Sequence, residues 1–267
     1  MLDLAVVPWS SLINRTDLPE IALHFPFDAN TGAQVTNLGS AGVSAYTVLG
    51  TTTSIWATAN HVTPASDGYI DISDVHASCQ LNTLTGVLGF VARVVITALP
   101  SSGAVSLIDK DYDHTPLGGW GIAINASGQL QIRYRAGGSG SSIQTLSTAS
   151  SSLAAGNTYV VAGTWNTVDG MMRAWISGVE SGTAVAMTNT TNNPYPAGNS
   201  GAPLRLFGNY GSAGALAGAL NSASANVAVD RMTLFRVDGD ITDDLATVMA
   251  EFAKYRELSP SLRMLAA

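Results

Sequence analysis

Apolar and polar residues alternate with a period of two along much of this chain. "QLQIRYR" (129–135) switches at every step, and "WGIAI" (120–124) precedes it across the turn residues "NASG". Two alternating runs joined by such a turn predict a pair of antiparallel strands. "TYVVAGTW" (158–165) and "MMRAWI" (171–176) flank "NTVDG", and the Asp169-Gly170 dipeptide predicts a second hairpin. "GFVARVVIT" (89–97) is rich in β-branched residues, and "LRLFGNY" (204–210) and "DRMTLFRV" (230–237) complete the clear strands. "AGGSGSS", "STASSSLAAGN" and "NTTNNPYPAGNSGAP" are turn-rich separators. Strands at this spacing, with no helix between them, predict an all-β fold: an antiparallel two-sheet β-sandwich of the jelly-roll kind.

The period changes once, near the end. Leu245, Val248, Met249, Phe252 and Tyr255 fall at helical spacing. Thr242 is placed to cap a helix, with Asp243 and Asp244 at its positive end, Lys254 and Arg256 at its negative end and Pro260 beyond. One short C-terminal helix is expected over about 243–256, its apolar stripe packed on the core.

Composition narrows the function. Of 267 residues, 46% are apolar but only 12% charged, about half the usual share of roughly 25%. The exterior must be built from Ser, Thr, Asn, Gly and Ala, which suits broad neutral contacts and leaves few groups for acid–base chemistry. Net charge is −7, from 12 basic and 19 acidic residues, without a basic run; nucleic acid is not the expected partner. Cys79 is the only cysteine, so no internal disulfide forms. The start, "MLDLAVVPWSSLINRTDLP", lacks a basic leader region, carries Asp3 and is broken by Pro8. The expectation is a protein neither conventionally secreted nor membrane-borne, since no apolar run approaches the ~20 residues of a span.

No reaction centre is legible, and the expectation is a non-enzymatic protein with no catalytic residues and no cofactor. Glycoside hydrolysis uses two carboxylates about 5–9.5 Å apart, but Glu20, Glu180, Glu251 and Glu257 are isolated, and Asp67, Asp71 and Asp74 of "DGYIDISD" have no Glu pair. His24, His61, His76 and His114 do not cluster in sequence, and no Gly-x-Ser-x-Gly elbow occurs. "DKDYD" sets Asp109, Asp111 and Asp113 at alternate positions. Such oxygen ligands could hold Ca²⁺, or the segment is a solvated acidic loop. It is not an EF-hand, because its sixth position is His114 and its twelfth Trp120.

The order of the segments carries a family resemblance. "LHFPFDANTGAQVTNLGS" (23–40), "DGYIDI" (67–72), "GFVARVVIT", "LAAGNTYVVAGTWNTVDGMMRAWISGVE", "LRLFGN" and "VAVDRMTLFRVDGDITDDLATVMAEF" follow one another as in the laminin-G-like, concanavalin A-like lectin and glucanase jelly rolls. The chain resembles that family over roughly 21–253, with Asp230 at a recurring acidic position and Asn37 where the family often has Asp. The resemblance implies an N-terminal arm (1–20), a jelly-roll domain (21–255) and a C-terminal tail (256–267). It makes Tyr159, Val161, Trp165 and Trp175 core residues or, alternatively, sugar-stacking ones.

A jelly roll with low charge, no disulfide, no catalytic pair and no export signal leads to the expectation of a tailed-bacteriophage virion protein. The favoured role is decoration of the capsid, as a homo-oligomer bound to the major capsid protein or to neighbouring copies, with the apolar arms as anchors. The alternative is a glycan-binding adhesion module, such as a tail-fibre or receptor-binding domain. A glycosidase is the third reading. Candidate glycan or partner contacts are the loop aromatics and amides Trp120, Asn192, Asn193, Tyr195, Asn209 and Tyr210.

Overall fold

In the computed structural model the chain forms two antiparallel sheets face to face, with a helix on the outer side of the larger one. The structure describes residues 20–27, 34–47, 49, 56–58, 61–62, 69–72, 81, 84–110, 118–136, 142–187, 203–208 and 226–254. The expected arm and tail lie outside them, apart from Glu20 itself.

The first strands are β1 (Glu20–Phe25), β2 (Gln34–Thr36), β3 (Ala45–Thr47), β4 (Trp56–Thr58), β5 (His61–Val62), β6 (Ile70–Ile72), β7 (Gly86–Ala98) and β8 (Ala104–Lys110). They are followed by β9 (Gly119–Asn125), β10 (Leu130–Arg135), β11 (Gln144–Ser147), β12 (Asn157–Asn166), β13 (Met171–Ile176), β14 (Val179–Glu180), β15 (Val185–Ala186), β16 (Leu204–Leu206) and β17 (Asn226–Asp238). Helix α1 (Leu245–Lys254) closes the described chain.

Among the described residues the larger sheet runs β14-β13-β12-β7-β17-β5-β4, with β1 also on β17 and β15 also on β13. The smaller sheet runs β11-β10-β9-β8-β16-β6, and β2 and β3 pair separately. Both predicted hairpins form: β9 with β10, and β12 with β13 around Gly170, whose φ of 71° is the left-handed backbone such a turn needs.

Burial explains the different sequence textures of the strands. β10 reads strictly alternately because only one face is covered: Leu130, Ile132 and Tyr134 point into the sandwich. β7 reads as a near-continuous apolar run because it lies in mid-sheet and is covered on both faces. Its Leu88, Phe90, Ala92 and Val94 fill the space between the sheets, while Val87 and Val91 pack outward beneath α1. Trp165 of β12 and Trp120 of β9 meet across the interior, ring centroids 4.6 Å apart, and the Trp165 indole N–H donates to the Arg133 carbonyl at 3.2 Å. The contact is one of many that join the two sheets, since Ile122 and Ile132 also close on Gly163 of β12. Trp175 faces the other way, into the second core with Leu245 and Met249 of α1.

The helix begins later than the sequence predicts. Asp240 accepts a hydrogen bond from the Thr242 backbone N–H at 3.0 Å, which together with the Thr242 hydroxyl holds its carboxyl below its ordinary pKa. The Thr242 hydroxyl also accepts from Asn166 at 2.7 Å, so Asp243 and Asp244 stand in a preceding turn rather than in the helix. Leu245 and Met249 face the sheet as expected, with Val248 at the border; the side chains of Phe252 and Tyr255 lie outside those described.

Candidate binding groove

The outward face of the smaller sheet carries the polar half of the β10 alternation. Cross-strand register sets Thr145, Arg133, Gly121, Asp109, Arg205 and Asp71 in one row across all six of its strands. At one end of the row Arg205 makes a bidentate pair with Asp71, at 2.7 and 2.8 Å. Its guanidinium lies 4.2 Å from the centre of the Tyr69 ring, and its side chain is 1% exposed. Gly208 makes this possible, since a Cβ there would stand 2.7 Å from the Arg205 Cδ. A planar fork fitted to a carboxylate and laid on an aromatic face is a rigid use of arginine. This end of the row is a structural clasp between β6 and β16.

The other end is different. In the neighbouring row, Ser147, Gln131, Ala123 and Ser106, only Gln131 has a long side chain. Ser106 and Ala123 leave a low floor, and Ala104 and Gly103 extend it toward the sheet margin. Gln131 and Arg133 form one wall and Asn125 the end, enclosing a groove of about 440 Å³. That is within the roughly 300–1,000 Å³ of ordinary small-ligand sites.

The walls are held in place. The Arg133 Nη2 donates to the Gln131 Oε1 at 2.5 Å, which leans the guanidinium along its own strand and over the groove. The Asn125 side-chain oxygen accepts from the backbone N–H groups of Ser127 and Gln129, and its amide nitrogen donates to the Gln129 Oε1 at 2.8 Å. The β9–β10 turn is thereby locked, and with it the end of the groove.

Several sequence-predicted sites fall elsewhere. Trp120 is not an exposed loop aromatic: it sits in β9, 1% exposed, on the inward side against Trp165. Asp109 is not in a solvated acidic loop: it is fully buried in β8, in register with Arg205. Asp111, Asp113, Asn192, Asn193, Tyr195, Asn209 and Tyr210 lie outside the described residues, as does Cys79. Among the described residues no three His, Cys, Asp or Glu side chains converge as a metal site would require. Tyr159 is partly buried against the main core, and its hydroxyl accepts from the Ala154 N–H at 3.1 Å. Val161, Trp165 and Trp175 are core residues.

The groove residues Ser106, Ala123, Asn125, Gln131 and Arg133 were not singled out by the sequence. The alternation of "QLQIRYR" did place Gln131 and Arg133 on one face. That the strand beside them presents Gly121 and Ala123 depends on register.

No protein-family model matches the sequence, and no curated protein matches it. Solved structures do. A binding domain of botulinum neurotoxin DC in complex with SialylT aligns with a TM-score of 0.57 at 14% identity, over 87% of this chain and 51% of that one. The fold is that of the concanavalin A-like sandwiches. Botulinum neurotoxin type C, whose cell entry is dependent upon interaction with two ganglioside molecules, aligns at 0.54 and 11% identity over 90% and 52%. A mutant Trypanosoma rangeli sialidase displaying trans-sialidase activity aligns at 0.55 and 13% over 89% and 33%. The chain thus spans about half the length of the neurotoxin structures and a third of the sialidase. At these identities the likeness is one of fold.

Proposed function

We propose that this chain is a carbohydrate-binding module, with the groove on the outward face of the smaller sheet as its saccharide site. The observation that carries the reading is the pairing of a low floor, Ser106 and Ala123, with walls of fixed amide and guanidinium groups, Gln131, Asn125 and Arg133. A sugar ring needs a flat surface to lie on and planar donors and acceptors at its edge, since its hydroxyls both give and accept hydrogen bonds. The fold neighbours add weight, because the neurotoxin binding domains are described with SialylT and with gangliosides.

Decoration of a bacteriophage capsid, the role the sequence favours, rests on a neutral exterior and gives this groove no task. The saccharide reading uses both the groove and the low charge, which leaves polar uncharged groups to meet hydroxyls.

The full chain on a glycan array tests the proposal. Binding is expected to be confined to one saccharide class and to fall at least tenfold in Ala104→Trp, whose indole would fill the groove from its margin. Binding that survives this variant, with its thermal unfolding unchanged, would remove the groove as the site.

A further inference from the structure

The amide that closes the groove has a settled orientation. The Asn125 Oδ1 accepts from the backbone N–H groups of Ser127 and Gln129, both at 3.0 Å, and these occupy both of its lone pairs. Its Nδ2 gives one hydrogen to the Gln129 Oε1 at 2.8 Å. Gln129 is fixed in turn, because its own Nε2 donates to the Thr148 carbonyl at 2.8 Å. Neither amide can turn over without setting donor against donor. An amide nitrogen carries two hydrogens, and among the described residues that of Asn125 engages one. What the Asn125 side chain still has to offer is therefore an N–H and no acceptor. Its surroundings in the groove are small and apolar. Ala104 stands opposite it on β8, and Ala123 is the next residue on the same face of β9. Gly103 extends this surface, and no atom beyond its chain neighbours lies within 4 Å of where its Cβ would be. Gln131, opposite Ala123, differs from Asn125: its Oε1 accepts from Arg133 and its Nε2 donates to Ser147, which leaves it a lone pair as well as an N–H among the described residues.

We propose that the saccharide bound here carries an N-acetyl group, its carbonyl accepting from the Asn125 Nδ2 and its methyl resting on Ala104 and Ala123. This rests on the saccharide-binding reading and narrows its ligand to N-acetylated amino sugars. A sugar hydroxyl both gives and accepts, so a plain sugar can satisfy a spare N–H without being selected by it. An acetamido group is selected twice. Its carbonyl can only accept, which is what a donor with no acceptor beside it requires. Its methyl must leave water, and two alanines receive it without the length that would fill the groove. Its own N–H has the lone pair of Gln131 to turn to, since a planar trans amide sends its C=O and N–H in opposite directions and Gln131 stands on the wall while Asn125 stands at the end.

The test uses the full chain and matched saccharides that differ only by acetamido against hydroxyl, such as N-acetylated chitotriose against cellotriose and N-acetylgalactosamine against galactose glycosides, on an array and then by titration calorimetry. The wild type is expected to prefer the acetylated member of a pair by about tenfold to thirtyfold. The preference should hold from low to high salt, because neither the amide nor the acetyl group is charged. Asn125→Asp keeps the oxygen that accepts from Ser127 and Gln129 and removes the donor, and is expected to cut the preference to about threefold or less. In saturation-transfer NMR on the wild type, the acetyl methyl is expected to receive more magnetisation than the ring protons. Equal binding of both members, lost in Ala104→Trp, would overturn the N-acetyl ligand and leave the saccharide groove standing, as would binding confined to sugars without an acetamido group. A full preference in Asn125→Asp would overturn the role of Asn125. No binding to any member of the array would overturn both readings. The paired affinities and the methyl signal need no variant, and so decide the matter even if a substitution at Asn125 fails to fold.

Discussion

At the scale of single residues, Asn37 shows how one side chain can dictate a local path. Its Oδ1 accepts from the backbone N–H groups of His24 and Gly39, both at 2.9 Å, and its Nδ2 donates to the carbonyls of Ala41 and Val43 at 2.9 and 3.1 Å. Both lone pairs of its oxygen and both N–H donors of its amide are used, and it is 4% exposed. The segment it holds lies along the free side of β1, where Leu38, Ser40 and Ala41 donate to the carbonyls of His24, Ile21 and Ala22. An open sheet edge is thereby closed without another strand. A carboxylate in its place could not donate to two carbonyls. Asn37→Asp is expected to cost about 1–3 kcal/mol in urea denaturation; an unchanged midpoint would show that the amide donors contribute nothing. Phe27 and Phe207 show the opposite relation, in which the core dictates the residue. Both have positive φ, 47° and 63°, and their buried rings sit 5.8 Å apart. Nothing local favours that backbone in phenylalanine; aromatic packing holds it.

At the scale of elements, close approach decides where α1 docks. Gly178 has φ +80° in the turn between β13 and β14, and a Cβ there would stand 2.9 Å from the Cβ of Ala253 and 3.1 Å from the Cα of Ala250. Gly89 similarly leaves its place on β7 to the ring of Phe235, which would be only 2.0 Å from an added Cβ. The helix and the aromatic layer beneath it thus depend on missing side chains in the sheet. Gly178→Val is expected to strain the turn, push α1 outward and destabilise the fold by about 1–3 kcal/mol. The near-ultraviolet signal of Trp175, buried under α1, should change with it. A variant with wild-type stability and an unaltered signal would refute this account of the docking.

At the scale of the whole molecule, two cores share one sheet. The main core lies between the sheets, and a smaller one, with Val160, Trp175, Phe235 and Val237 from the sheet, lies under α1. The helix is therefore the cover of an apolar face. Ending the chain at Gly239 would expose that face while leaving the main core and the groove in place. The truncated chain is expected to bind hydrophobic dye and to self-associate in light scattering. A monodisperse product that binds no dye would mean that α1 covers nothing the domain needs. The groove and α1 lie on opposite outer faces of the sandwich, so a ligand and the helix do not compete for surface.

The sequence by itself determined the strands with a clear period of two, both hairpins and the C-terminal helix. These follow from patterns within ten or so residues, which the chain carries wherever it folds. Tertiary structure decided what no such window contains. It turned Trp120 inward, buried Asp109 beside Arg205, started α1 two residues late by engaging Thr242 with Asn166, and set Gln131 and Arg133 above Ala123 and Ser106. Each is a relation between residues brought together by strand register. A shift of one residue would present the opposite set of side chains and fill the groove.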